Sequence, residues 1–233
     1  MKAIFKREFK AYFTSPIGYV ILAVYFFFLG LLFSVSYAYG DSDITSVIGG
    51  VTLLSAFAIP ILTMRLISED KKNKTDQALI TAPVKISGIV LGKFFAAFLV
   101  FAICFAPTVI FRAIIGAYVD IGITSYLYAL FGMLLLGAAL ISIGMFISSL
   151  TESPVIAAIL SIAVNMVVVY MSSFAQMAKN SFLSGLFESM AFIDRYQNFT
   201  ENIFSVPDVV YFVTIAAAFI FLTVRSLEKK RWS

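Results

Sequence analysis

Gly88-Ile-Val-Leu-Gly-Lys-Phe94 has the glycine and lysine order of a loop that cradles phosphates. That chemistry needs four residues between the glycines and a Ser or Thr after the lysine, to reach magnesium. Here three residues separate Gly88 from Gly92, and Phe94 follows Lys93. An apolar run comes next, so the segment reads as the start of a membrane helix, and any ATP is bound by another protein. The chain has no histidine, and its single cysteine, Cys104, lies within an apolar run. Common zinc sites, histidine acid–base chemistry and an intrachain disulfide are thereby excluded. No paired catalytic carboxylates stand inside the apolar stretches. The expectation is a chain with no catalytic residue, no metal and no directly bound cofactor.

The other chemistry on offer is recognition. "SEDKKNKTDQALITAPV", Ser68 to Val84, concentrates charge in a protein that is only 13% charged. Ser68 is placed to cap a helix whose first turn carries Glu69 and Asp70, where carboxylates suit the dipole. Thr75 can cap a second turn from Asp76. Leu79 and Ile80 add an apolar knob, and Ala82-Pro83 ends the helix. From these residues alone, a docking handle and a solvated charged loop both remain open.

The elements that position this stretch follow from composition. Hydrophobic residues make up 61% of 233 positions, well above the roughly 45–50% of soluble domains. Six apolar segments stand out, 17–37, 47–64, 94–111, 126–150, 155–174 and 209–224. They approach or meet the length of about 20 residues that a bilayer helix needs. They lack the alternation of a membrane barrel. The first is too long for a cleaved signal peptide and has no clear small-x-small site. Pro107 is expected to kink the third, and Gly137, Ser142, Gly144 and Ser148 to allow close helix approach in the fourth.

Charge supplies the orientation. Lys2, Lys6, Arg7 and Lys10 precede the first span. Arg65, Lys71, Lys72, Lys74, Lys85 and Lys93 lie between the second and third, and Arg225, Lys229, Lys230 and Arg231 follow the sixth. An even number of spans puts all three clusters on one side, which the positive-inside rule makes cytoplasmic. Arg112, Lys179 and Arg195 remain for the other side, with most of the acidic residues. The net charge of +4 is thus a topology signal, and no nucleic-acid partner is expected. The fold expected is an all-α integral membrane protein of six transmembrane helices, with both termini cytoplasmic.

Residues 1–16 read as an amphipathic elbow helix at the lipid interface, with Phe5, Phe9, Tyr12 and Phe13 on one face. Arg7 and Lys10 project away from it, and Pro16 and Gly18 break the chain as it enters the bilayer. Membrane lipids are therefore one partner. Residues 175–206 form a longer, apolar external loop in which Leu183, Leu186, Phe187, Met190 and Ile193 recur at helical spacing. Such a helix either dips into the outer leaflet or packs over the bundle.

"MRLISEDKKNKTDQALITAPVKISGIVLGK" resembles a segment of ABC-2-type transporter permeases, in which an acidic pair leads to Thr, Leu, Ser/Thr-x-Pro and Gly-Lys. The matching residues are Glu69, Asp70, Thr75, Leu79, Thr81, Pro83, Gly92 and Lys93. A Gly often precedes that Thr, where this chain has Lys74. "FIDRYQNF" and "DVVYFVTIAAAFIFLTVRSLEKKRW" resemble the loop and last span of the gliding-motility and nitrous-oxide-reductase-maturation type branch. Members there often carry a basic residue and Gly in place of Thr200-Glu201-Asn202. With "FKREFKAYFTSPIGYV", the resemblance spans nearly the whole chain, residues 1–233, as a single transmembrane domain.

The resemblance implies a half-transporter in the plasma membrane. Two permease subunits, identical or related, would pair, and each would dock a cytoplasmic ABC ATPase that supplies ATP and magnesium. Within the coupling segment, residues 68–87, the coupling helix would run from Glu69 to Pro83, with Gln77 on it and Leu79 and Ile80 as anchors. Export is the expected direction. Relatives handle lipids, lipid-linked glycans, peptides and drugs, and an aromatic-rich chain with short external loops leans toward an amphipathic cargo. A secondary transporter is the weaker alternative, because the spans hold no ionisable residue near their centres. Arg65, Lys93 and Arg112 lie near ends, where snorkelling would explain them. Asn165, the most polar central residue, is read as a packing hydrogen bond before a pathway contact. A non-transporting scaffold that docks an ATPase, as in self-protection systems, is the third possibility.

Overall fold

Apolar runs of this length leave the backbone only itself to bond in a bilayer, and a helix satisfies each amide within its own segment. The computed structural model describes residues 1–233 except 41–42, 76–84, 119–121, 178–184, 186, 188 and 233, and the side chains of 230–232. Its helices are α1 (Lys2–Thr14), α2 (Pro16–Ala38), α3 (Ile44–Gly50), α4 (Thr52–Thr63), α5 (Arg65–Lys72) and α6 (Ile86–Cys104). They continue as α7 (Ala106–Gly116), α8 (Ile123–Leu150), α9 (Pro154–Val169), α10 (Met171–Met177), α11 (Phe192–Thr200) and α12 (Val206–Trp232). No strand occurs among the described residues. The protein is an all-α integral membrane protein.

Five stretches are long and apolar enough to cross a bilayer: Pro16–Ala38, Thr52–Lys72, Ile86–Gly116, Ile123–Leu150 and Val206–Lys229. The run expected at 155–174 is a broken pair, α9 and α10, bent by 53°. Counting that pair as one span brings the number to six. The boundaries also shift. The second run breaks at Val51 and then continues past Met64 to Lys72. The third begins at Ile86 and breaks at Phe105, with Pro107 in the first turn of α7. Proline fits there because the first turn has no intrahelical partner for its missing N–H.

α8 is the central post, packing against α12, α11, α9, α4, α6 and α3. Small residues make this possible. A Cβ on Gly137 would stand 2.0 Å from Cε1 of Phe101, and one on Gly144 would stand 2.3 Å from Oγ1 of Thr63. Tyr25, Phe101 and Phe105 fill the neighbouring layer as edge-on rings 5.2 to 6.0 Å apart. Cross-contacts fix helix direction. Phe204 lies by Phe131 and Phe219 by Phe146, so α12 runs parallel to α8. Ser148, late in α8, bonds α5, and Gly92 of α6 abuts Ile4 of α1. Residues 2–10, 65–74, 85–93 and 225–229 therefore share one end of the bundle, the basic end.

At the opposite end α11 lies over the bundle, with Phe192, Tyr196 and Phe199 buried. Of the two placements weighed for the external loop, its second half packs on protein. Leu183 and Leu186 lie outside the described residues. α11 is tied to α12 through Asp208, which accepts from Arg195 at 2.8 Å and Asn198 at 2.6 Å.

Candidate functional site

Ser68 is fully buried inside α5, not at its start. Met64 keeps helical dihedrals of φ −52° and ψ −35°, so α4 passes directly into α5 as one stalk. The Ser68 hydroxyl donates back to the Met64 carbonyl, a bond that a mid-helix serine makes and a cap does not. The N–H groups of Ile67 and Ser68 reach the Ser148 hydroxyl of α8 at 3.2 and 3.1 Å. Ser148 itself donates to the Met64 carbonyl at 2.9 Å. The expected cap at Ser68 is thus overturned, because burial against α8 claims the hydroxyl.

Glu69 and Asp70 consequently stand late in the helix, where the dipole does not favour them. Cations hold them instead. Arg65 Nε donates to Glu69 at 2.8 Å, and its Nη1 reaches Ser15 Oγ at 2.7 Å. Asp70 Oδ2 lies 2.7 Å from Lys93 Nζ, a charge contact too poorly angled for a hydrogen bond. Lys93 Nζ also donates to Glu8 Oε1 at 2.9 Å. Arg7 bonds Glu8 at 2.6 Å and comes within 3.9 Å of Asp70. Burial alone would lower the Arg7 pKa, but the Glu8 bond and the two carboxylates raise it. On the far side of the stalk, Lys71 Nζ donates to the Ser149 carbonyl.

Lys93 does not snorkel, contrary to the sequence-based expectation. It is 3% exposed and sits between two carboxylates, the arrangement a buried ammonium requires. Glu8 is the single acidic residue among the first forty, and that was the signal from which the pairing could have been read. Ser148, Ser149 and Ser15 carried no comparable signal, since small hydroxyl residues are ordinary in membrane helices.

The elbow completes the clasp. Phe5, Phe9 and Phe13 pack half-buried against the core, and Tyr12, 2% exposed, donates to the Leu62 carbonyl at 2.7 Å. Burial pushes the Tyr12 pKa up, so the hydroxyl stays a neutral donor. A Cβ on Gly18 would stand 2.4 Å from the Tyr12 carbonyl oxygen, so the turn from α1 into α2 admits only glycine unless it opens. α1 is therefore fastened to the stalk as well as to the start of α6.

Beyond the clasp, Lys74 takes a left-handed φ of 56°. Thr75 folds back, its hydroxyl donating to Asp70 Oδ1 at 2.9 Å. Gln77, Leu79, Ile80, Thr81 and Pro83 lie outside the described residues. Asn165 is elsewhere, on α9, fully buried with neither amide atom hydrogen bonded. It does not make the packing bond expected of it. Among the described residues no group of three His, Cys, Asp or Glu could hold a metal ion. The clasp offers no nucleophile with a base. Its ties join the α4–α5 stalk to α1, α6 and α8.

Comparison with known proteins fits this arrangement. No curated protein matches the chain. Residues 34–225 match the model of a family described as ABC-2 family transporter protein, from late α2 through most of α12 and well over half of the sequence. With its bundle of apolar helices, the chain is a multi-pass membrane component that belongs to the ABC-2 family of transporter proteins.

Proposed function

We propose that the chain is the permease subunit of an ABC exporter in the plasma membrane, with its basic end cytoplasmic. A separate ABC ATPase docks on the segment after Lys72, and a second permease, identical or related, completes the pore. The observation that carries this reading is the clasp. A handle that transmits force must be rigid at its root, and α4–α5 is one helix held by Ser148, Lys93 and Tyr12 to three neighbours. A solvated loop would need none of these ties. ATP-driven closure of the ATPase pair changes the separation of the two handles, and the permease equilibrium shifts only by the difference in interaction energy between its states. Moving that equilibrium from 1:99 to 99:1 takes about 5.5 kcal/mol. Leu79 and Ile80 serve as the apolar anchors, with Thr75, Gln77 and Pro83 beside them; Glu69 and Asp70 lie in α5, which ends at Lys72 before the left-handed Lys74, so they fix the root of the handle and the single helix expected from Glu69 to Pro83 is broken there.

The test is a pull-down in mild detergent with the candidate ATPase co-expressed. The native chain retains the ATPase, and a Leu79→Asp, Ile80→Asp double variant that still inserts loses it. Retention by both moves the docking site to another surface, and retention by neither overturns ATPase docking, for the permease and the scaffold alike, in favour of a secondary-transport mechanism.

A further inference from the structure

Between them α2 and α4 leave a groove of about 230 Å³, walled by apolar side chains throughout. Ile17, Val20 and Val24 stand on one wall, and Leu54, Phe57 and Ile61 on the other. Val20, Phe57 and Ile61 are exposed, so the groove opens outward from the bundle. Val24 comes eight residues after Pro16, about 12 Å into the span. That is within half of the roughly 30 Å hydrocarbon core, the depth of one leaflet. Toward the basic end lies a second cavity of about 240 Å³, a cup lined by Arg65, Glu69, Lys72 and Asn73 of the stalk and by Pro154 at the start of α9. Ile17 lines both.

One helix face joins the two. Leu54, Phe57, Ile61, Arg65, Glu69 and Lys72 recur at steps of three and four, and the stalk keeps helical dihedrals at Met64. Arg65 therefore stands about 6 Å beyond Ile61, and Lys72 about 16 Å beyond it. Along this face hydrocarbon gives way to charge, in the order of a phospholipid read from acyl chain to headgroup. The charges select the headgroup. Arg65 and Glu69 pair at 2.8 Å and offset each other, while Lys72 is exposed and makes the lining groups net positive. The neighbouring charges of the stalk turn to other partners, Asp70 to Lys93 and Lys71 to the Ser149 carbonyl. Basic pockets between membrane helices hold anionic headgroups.

We propose that groove and cup together bind one anionic phospholipid of the phosphatidylglycerol kind, its phosphodiester at Lys72 and an acyl chain between α2 and α4. The lipid fills the angle between the elbow turn and the stalk. Its binding does not rest on the docking of an ATPase and is measured without one.

The experiment is native mass spectrometry of the full chain in mild detergent, titrated with dioleoyl phosphatidylglycerol, phosphatidylethanolamine or phosphatidylcholine. The first phosphatidylglycerol on each protomer binds about fivefold more tightly than the first of the other two, the worth of one lysine beside an anionic lipid. Lys72→Gln abolishes that preference, and Lys229→Gln, at another exposed lysine of the same end, leaves it intact. Val20→Trp, at a position 58% exposed where added bulk spares the fold, fills the groove and weakens the first lipid of every class severalfold. Glycerol phosphate, which carries the charge without the chains, does not compete even in large excess. No preference for phosphatidylglycerol, or one that survives Lys72→Gln, overturns the headgroup assignment. A first lipid undisturbed by Val20→Trp overturns the groove. Displacement by glycerol phosphate makes the cup a site for a soluble phosphate ester, and loss of the lipid as dimers form makes the groove a contact between two copies of the chain; either overturns the lipid. The pull-down above is unaffected by all of these outcomes.

Discussion

Two turns place non-glycine residues in the left-handed region, Lys74 at φ 56° and Asn202 at φ 64°. A side chain is strained there, whereas glycine enters the region freely. Lys74→Gly is expected to stabilise by about 0.5 kcal/mol after the entropy of the added glycine is counted. Asn tolerates this region better, so Asn202→Gly should gain less. Unfolding midpoints in detergent would rise by about 1–2 °C for Lys74→Gly. Lys93 lies at the other extreme. Lys93→Met removes the buried cation and leaves Glu8 and Asp70 only the half-exposed Arg7, which should cost about 3 kcal/mol, the low end for a broken buried pair. The triple variant with Glu8→Gln and Asp70→Asn should recover most of that in the same melts, because the cost is the uncompensated charge and not the lost methylenes.

At the scale of elements, the elbow and the stalk behave as one unit. Tyr12→Phe removes the bond to Leu62 and should cost about 1 kcal/mol, a small change with α1 still seated by its phenylalanines. Gly18→Ala is more disruptive, since its Cβ would meet the Tyr12 carbonyl oxygen at 2.4 Å and the turn must open. Limited proteolysis reads the difference. Trypsin should cut at Lys6, Arg7 or Lys10 at least several-fold faster in Gly18→Ala than in the native chain, and near the native rate in Tyr12→Phe. Equal rates in all three would mean that α1 is held by the lipid interface rather than by the turn.

For the whole molecule, orientation is the property that every functional statement needs. Asn73, Lys2 and Lys229 are exposed at the basic end and Asn202 at the other. Cysteines placed singly at these positions should react with a membrane-impermeant maleimide from opposite sides. The first three label only in opened or inverted membranes, and Asn202→Cys labels in intact cells. The result depends on the bent pair α9–α10 crossing as one span. If that pair entered and left on the same side, Lys229 and Asn73 would label from different faces.

Much of this protein was legible in its sequence because bilayer insertion is a one-dimensional problem. Apolar length and the placement of Lys and Arg determined an all-α membrane bundle and the grouping of the basic clusters. The segment around Glu69 and Asp70 marked the family. Helix ends were less legible. Ser68, read as a cap, lies within a helix, since capping propensity is weaker than burial against Ser148. Lys93, read as snorkelling, is buried, since its partners are 85 residues away at Glu8 and on the stalk at Asp70. The groove between α2 and α4 left no trace in any local pattern, because its two walls come from separate stretches of chain. Tertiary structure alone decided these, for the contacts that settle them are long-range and small in energy beside the insertion of an apolar helix.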